Sequence, residues 1–366
     1  MSNTFLTAQE IARQALPILK DNLVFPMLTY TDYAEDFANV GDTIQIRKPP
    51  VYEAKEFNGT IETQDIVEDK VLVTMDKIAD VSVEVTAKEM ALEIENFTSQ
   101  VIEPAAIAIA EKINRDGLSL YKDVYTVGGT AGTAPSSLED LAAARKVLNI
   151  NKAPVFPRYA VWDPEADMNF SVIPAIVNAE KSGSTEALRE GSIGRIQGVD
   201  NYMSQAIHSH MPQVNASGLT VKSAVTAGSD SLSISGTALT GKFIKGDILT
   251  ISGQTYTVTE DSADSASNTV ASVKVAPALP QLAAGTAVTV AGAHAANLVF
   301  HKNAFAFVSR PLELARGAES YVTSFEGITL RVTFSYDAAT KKQMLSIDTL
   351  YGFKTIYPQL AMRYMG

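Results

Sequence analysis

Two alternating stretches around a polar middle limit what this chain can fold into. From Gly41 the apolar and polar residues alternate with a period of two, Ile44 and Ile46 against Gln45 and Arg47, until Pro49-Pro50 ends regular pairing. A charge-rich stretch runs from about Glu53 to Asp69. Alternation resumes at Val71 and Val73 and is cleanest where Val81, Val83 and Val85 alternate with Ser82, Glu84 and Thr86. Two long strands joined by a polar tip make an extended antiparallel hairpin with one polar face. A two-stranded ribbon buries too little to stand alone in water, so it needs a neighbouring surface.

Helical patterns flank the hairpin. Thr7-Ala8-Gln9-Glu10 is a capping box, and Ile11, Ala15, Leu19 and Leu23 follow as an apolar stripe. Pro17 falls inside that pattern and predicts a kink or interruption. After the hairpin, Ile94, Phe97, Val101, Ala105, Ile109 and Ile113 hold one stripe over roughly five turns. Pro104 within it predicts a bent helix, or a shorter one that starts near the proline. A Gly/Thr/Ala loop at Gly128–Pro135 leads to Ser136-Ser137-Leu138-Glu139, read as a second capping box. Its helix runs to about Leu148 and carries Leu138, Leu141, Arg145 and Leu148. Tyr159-Ala160-Val161-Trp162 reads as a buried strand, Asp163-Pro164 as a turn or helix start toward Val177, and 179–192 as a mobile surface loop.

The composition shifts after about Pro212. As far as Gly292 the chain is rich in Ser, Thr, Ala, Gly and Val, with Phe243 and Tyr256 its only aromatics. Short alternating runs at Leu232/Ile234, Ile248–Ile251, Tyr256/Val258, Val273/Val275 and Val288/Val290 are spaced by turn residues. That spacing describes a small all-β barrel or sandwich, about 80 residues long and able to fold as its own unit. The earlier style then returns, with Leu298-Val299-Phe300 and Phe305–Val308 as buried strands or short helices and Thr329–Tyr336 and Leu345–Tyr357 as strands. The class is α+β, with a β-rich module set into a domain that resumes after it.

Composition narrows the function. The 366 residues are 46% hydrophobic and 19% charged, enough to bury a sizeable core in two or three folding units. No apolar run is long enough to span a bilayer, and MSNTFLTAQE lacks a secretory pattern, so the chain reads as soluble and cytoplasmic in origin. The absence of cysteine removes disulfides, thiolate metal sites and cysteine nucleophiles. A net charge of −11 repels phosphate backbones at long range and disfavours a dedicated nucleic-acid binder.

No motif for chemistry stands. Gly236–Lys242 has the spacing of a phosphate-binding loop, but Phe243 replaces the metal-binding hydroxyl and a strand pattern follows. His208-x-His210 lacks a carboxylate or third histidine beside it and reads as a polar hinge before Met211-Pro212. His294 and His301 are separated by an apolar stretch, while Glu93/Glu95 and Glu68/Asp69 read as solvated faces. No catalytic, cofactor-binding or metal-binding residue is assigned, and no cofactor is expected. The chain reads as structural and not as an enzyme.

The order of elements resembles the major capsid proteins of tailed bacteriophages, of the Hong Kong 97 type, and within them the coat proteins of short-tailed phages with an inserted β-barrel. Val40-Gly41-Asp42-Thr43-Ile44 is similar to that family's hairpin entry and Lys70–Val85 to its returning strand. Gly191–Pro212 with Phe243–Ser252 resembles the lead-in and first strands of the inserted barrel. Asn297–Val308 resembles the return from it, and Leu345–Pro358 the closing strands. The resemblance implies an N-terminal arm at 1–40, an E-loop hairpin with peripheral strands at 41–90, and a spine helix with peripheral domain at 91–134. It further implies an axial domain at 135–213, the inserted barrel at 214–292, and the rest of the axial domain with closing peripheral strands at 293–366.

By the same resemblance the chain self-assembles as hexamers and pentamers, through E-loop and N-arm contacts, into an icosahedral shell around double-stranded DNA that it does not read by sequence. It implies a scaffolding protein, because no long helical pro-segment precedes the arm, and a portal protein, with room for a decoration protein. The location implied is the virion, assembled in the host bacterial cytoplasm, with no membrane partner. Pro49-Pro50, Pro104 and the glycines of 128–132 are the expected flexible joins for shell expansion. An encapsulin-like shell or another phage structural protein, such as a tail protein, is the alternative.

Overall fold

In the computed structural model, which describes residues 7–31, 43–47, 70–85, 98–178, 189–315, 317–325, 327–337 and 342–366, contacts divide the chain into two units. The first comprises Met1–Asn22, Thr31–Ala110 and Ala306–Ile356; the second comprises Leu23–Tyr30, Glu111–Phe305 and Tyr357–Gly366.

Helix α1 (Ala8–Asn22) opens the first unit with the expected box: Glu10 N donates to Thr7 Oγ1 at 3.4 Å and Thr7 N to Glu10 Oε2 at 3.3 Å. Ile11, Ala15 and Leu19 are fully buried. Pro17 does not interrupt the helix, which continues through it. It lies on the exposed face, where the carbonyl it cannot serve is open to water.

Strands β1 (Thr43–Arg47) and β2 (Lys70–Thr74) pair antiparallel from Thr43↔Thr74 to Arg47↔Lys70, which is the base of the expected hairpin. Its tip, Glu53 to Asp69, lies outside the described residues. The returning half is not one long ribbon strand. It breaks at Met75-Asp76, and β3 (Lys77–Val85) leaves the ribbon to pair with β19 (Lys342–Thr355), from Tyr351↔Lys77 to Gln343↔Val85. The cleanest alternation in the sequence therefore serves a sheet. That sheet runs β16 (Phe305–Arg310), β19, β18 (Ile328–Asp337), β17 (Glu319–Phe325), with β3 on β19. Ile328, Leu330, Val332, Leu345 and Ile347 are buried, and α1 packs on β17 and β18. The polar side carries a ladder in which Ser346 Oγ donates to Asp80 at 2.7 Å and Arg331 grips Asp348 with two N–H groups.

The long stripe near Pro104 becomes a π-helical turn at Thr98–Ile102 followed by α2 (Glu103–Leu118), so the shorter-helix reading holds. Ile94 and Phe97 lie outside the described residues. Pro104 stands just after the π-helical turn, where the helix changes type.

In the second unit, Asn114 of α2 accepts at Oδ1 from the backbone of Val24 and Phe25, each at 3.1 Å, and ties down the segment after the arm helix. A seven-stranded mixed sheet follows the order β4 (Val127–Gly129), β20 (Ala361–Met365), β15 (His294–His301), β5 (Arg158–Trp162), β7 (Val199–Met203), β6 (Arg195–Ile196), and β8 (Ser209–His210) also pairs with β15. Its central strands are buried almost throughout, which explains their unbroken apolar runs. The glycines at 128–129 are no free hinge. A Cβ on Gly129 would meet the Met365 carbonyl at 2.5 Å, so β4 needs glycine to lie against β20.

Helix α3 (Leu138–Ile150) packs Leu141, Ala144 and Leu148 against Trp162, Phe170, Val299 and Met362, while Arg145 faces out. Its capping box is one residue later than expected: Ser137 caps and Asp140, not Glu139, answers it. Asp140 is the residue that also accepts from Tyr364 Oη, at 2.7 Å, so tertiary contact selects between two adjacent serines. Short helices α4 (Pro164–Ser171) and α5 (Pro174–Val177) follow the buried strand. Most of the expected mobile loop, 179–188, lies outside the described residues.

The six strands β9 (Asn215–Val221), β10 (Ser229–Thr240), β11 (Ile248–Ile251), β12 (Gln254–Val258), β13 (Thr269–Leu279) and β14 (Val288–Val290) form one antiparallel sheet, ordered β14-β11-β12-β13-β10-β9. Its ends meet: Thr220 bridges Ala287, and Val221 N donates to the Thr286 carbonyl at 2.9 Å, closing a barrel. Leu232, Ile234, Phe243, Leu249, Tyr256, Val258, Val273 and Val288 fill it.

The ribbon's root gives a test in the first unit. A Cβ on Gly352 would lie 2.2 Å from the Thr74 carbonyl. Gly352→Ala is therefore expected to cost about 2 kcal/mol or more in chemical denaturation, whereas Gly253→Ala, a turn glycine with open space around it, costs about 1 kcal/mol.

Candidate functional site

The residues weighed from sequence scatter. The Gly236–Lys242 segment is the end of β10 and its turn; Lys242 pairs with Asp261 at 3.0 Å and Phe243 sits in the barrel core, so no phosphate cradle forms. His208 and His210 part company at once. His208 Nε2 lies 2.8 Å from the Arg115 carbonyl at the surface, while His210 points into the protein and is buried. His301 is held between the Phe156 carbonyl and the Asn303 N–H. Glu68, Asp69, Glu93 and Glu95 lie outside the described residues. Among the described residues no group of three or more metal-ligating side chains forms.

A polar cluster that sequence reading missed lies where the barrel meets the seven-stranded sheet. Strands β8 and β15, which carry the chain into and out of the barrel, pair at His210↔His294. His210 Nε2 lies 2.8 Å from Asp247 Oδ1, on the turn before β11, and His210 Nδ1 lies 3.0 Å from Tyr121 Oη, on the turn after α2. Asp247 Oδ2 also accepts from Ile244 N at 2.8 Å, which shapes its own turn. Arg363 of β20 is wholly buried. Its Nη1 donates to the Gly246 carbonyl and its Nη2 to His294 Nε2, both at 2.6 Å, and its guanidinium stacks 4.5 Å from the centre of the Tyr121 ring. His294 Nδ1 donates to the Gly292 carbonyl at 2.6 Å.

The electrostatics follow from burial. Desolvation, then the neighbouring Arg363 charge, hold His294 down to about 4, well below the ordinary 6.5. Desolvation lowers Arg363 to about 10, against the favourable fields of Tyr121 and Asp247. Desolvation likewise raises Tyr121. The cluster thus gathers a guanidinium, a carboxylate, two imidazoles and a phenol, and nearly every polar atom is paired. Arg363 Nε is the exception, without a partner among the described residues. These polar atoms are spent on one another, so the arrangement acts as a joint. It fixes the barrel's Gly246–Asp247 turn to three elements of the sheet and the α2 turn at once.

Breaking such a joint on one side leaves a buried charge uncompensated. Asp247→Ala should cost about 3 kcal/mol or more in denaturant unfolding, and Asp261→Ala, on an exposed barrel ion pair, no more than about 1 kcal/mol.

Comparison with known proteins adds two findings. Residues 230–366, from β10 to the C-terminus, match the family described as P22 coat protein, gene protein 5. Among solved structures, one from Mycobacterium phage Che8 is similar at TM-score 0.54 and 16% identity, covering 93% of this chain and 90% of that one. The capsid of cyanophage P-SCSP1u is similar at 0.46 and 13% identity, over 89% of this chain and 84% of that one. The mature capsid of bacteriophage PhiM1 is similar at 0.45 and 11% identity, over 89% and 82%. No curated protein sequence matches.

Proposed function

We propose that this chain, a tailed-phage major capsid protein with the Hong Kong 97-type fold, assembles as hexamers and pentamers into an icosahedral shell around double-stranded DNA. The observation that carries the reading is the ribbon β1–β2, a two-stranded hairpin base that leaves Leu72 52% exposed. A ribbon of this kind is marginal by itself and gains stability only by lying on something else. Ile78, just beyond it, is 56% exposed on the same stretch of chain. In an assembly both side chains find cover on a second copy.

In this reading 1–40 is the N-terminal arm, 41–90 the E-loop with peripheral strands, and 91–134 the spine helix with its peripheral domain. Residues 135–213 and 293–366 make the axial domain and closing strands. The barrel at 214–292 is an accessory module that steadies the axial domain from outside its core. The shell forms in the host bacterial cytoplasm with a scaffolding protein and a portal protein, and leaves room for a decoration protein. Many modest interfaces, repeated by closed symmetry and interlocked arms, give such a shell its stability. The acidic balance of the chain suits a container that holds DNA without trapping it. Of the three expected joins, Pro104 remains as the one at a described change of helix type, and the glycines at 128–129 belong to the rigid sheet.

Negative-stain electron microscopy of the recombinant chain, alone and with its neighbouring genes, should show shells, tubes or rings of capsomers. A uniformly small particle under both conditions would end the assembly reading. Leu72→Asp should leave the folded chain's circular dichroism unchanged and lower particle yield by about tenfold or more, since it places an unpaired charge at an apolar contact.

A further inference from the structure

The joint at the barrel's root fits one protonation state of His294. The Arg363 guanidinium can only donate, and it meets His294 Nε2 at 2.6 Å; the Gly292 carbonyl can only accept, and it meets His294 Nδ1 at 2.6 Å. Its neighbours therefore dictate a neutral ring with its proton on Nδ1. A second proton would have to sit on Nε2, facing an N–H of the guanidinium. The hydrogen bond would vanish and two like charges would lie in contact in a site where His294 is 3% exposed and Arg363 not at all.

We propose that His294 is the trigger of an acid-operated latch: its protonation expels Arg363 and releases the barrel from the seven-stranded sheet while both keep their folds. The groups around His294 leave it no alternative. From β20 comes Arg363, from β8 the His210 ring at 5.5 Å, from the barrel turn Asp247, and from the turn after α2 Tyr121 with Lys122 beside it. His208 lies beyond Tyr121, and Asp123 and Lys245 pair at the rim. The one carboxylate within the cluster, Asp247, spends both oxygens on His210 and Ile244 N. It offers His294 nothing.

His210 has different neighbours: its Nε2 meets Asp247 Oδ1 and its Nδ1 meets the Tyr121 hydroxyl, which can donate or accept. What the His294 ring holds is well defined. Arg363 links the Gly246 carbonyl of the barrel to β20, and the His210↔His294 and Ser209↔Ala295 pairs are the ladder between the barrel's entry and exit strands. Losing them frees the barrel's stem and leaves the closed barrel core, which shares no residue with the cluster, untouched.

The sign follows from burial. A histidine whose folded value lies at about 4 against 6.5 when open contributes its full stabilisation above about 6.5 and loses it as pH falls toward 4. The latch is closed at neutral pH and opens in acid. The inference holds whether or not the chain forms a shell, so it is tested on the unassembled full-length protein.

Hydrogen–deuterium exchange at about pH 7.5 and 4.5, corrected for intrinsic rates, reads the opening directly. Segments 244–248 and 292–295 are expected to open roughly fifty-fold more at the lower pH, with 249–251 and 270–275 of the barrel and 361–365 of the sheet still protected. His294→Gln offers Arg363 a side-chain oxygen that does not titrate, and should reduce the acid effect to less than about threefold. Equal opening in His294→Gln, no opening in the wild type, or simultaneous loss of protection in the barrel core each overturns the proposal. A nuclear magnetic resonance titration of the wild-type histidines needs no variant to fold. A His294 midpoint near 4 supports the latch, and a midpoint at the ordinary 6.5 overturns it.

Discussion

Strand β15 carries the second unit. It leaves the barrel at His294 and runs directly into the middle of the seven-stranded sheet, with β20 and β5 along its two edges and β8 at its start. Seven of its eight residues are buried. A strand so placed cannot shift register without turning Leu298 and Phe300 to the opposite face. The barrel that precedes it is anchored by the same constraint, because its exit is the strand itself and its entry, β8, is hydrogen-bonded to that exit.

A barrel on two strands would still pivot about its stem, and the buried cluster is what opposes that motion. An apolar contact of equal area would stabilise as well or better, since burying Arg363 and Asp247 costs several kcal/mol before any pairing is regained. What the polar joint adds is direction. The guanidinium accepts only one placement of the Gly246 carbonyl and the His294 ring, and Asp247 accepts only one placement of His210. Apolar surfaces slide; donors and acceptors at 2.6–2.8 Å do not. The first unit solves a related problem in the open, where Arg331–Asp348 and Ser346–Asp80 fix strand register on the polar side of a sheet whose other side is apolar.

Periodicity made much of this legible. The ribbon, the barrel strands and the central strands each announce themselves by spacing or by an apolar run, because burial on one face or two is a local property of the sequence. Two readings went astray where a tertiary contact decided the matter. Asp140, held by Tyr364 from 224 residues away, moved the cap of α3 from Ser136 to Ser137. A partner strand near the C-terminus, not the ribbon, claimed Val81 and Val83. The buried cluster was illegible for the same reason in stronger form. Its members stand at 121, 210, 247, 294 and 363, each an ordinary residue in its own segment, and only the fold brings them together. Alternation across His208-x-His210 would put both rings on one side of the chain, so nothing local marked His210 alone as the buried one.

Among the described residues, the two units differ in how their strands are paired. In the second unit the central strands are paired on both sides, the barrel closes on itself, and the ionisable groups at their junction find partners within the unit. The ribbon of the first unit is the reverse case: two short strands, an exposed leucine, and open backbone along an edge. Unpaired strand edges recruit other chains whether or not the protein benefits, and soluble proteins usually blunt them with charge or proline. In the sequence, Pro49-Pro50 and the charged stretch from Glu53 to Asp69 follow β1 and precede β2. Proline and charge of that kind disfavour edge-to-edge pairing, which leaves the exposed Leu72 face of the ribbon as its apolar surface.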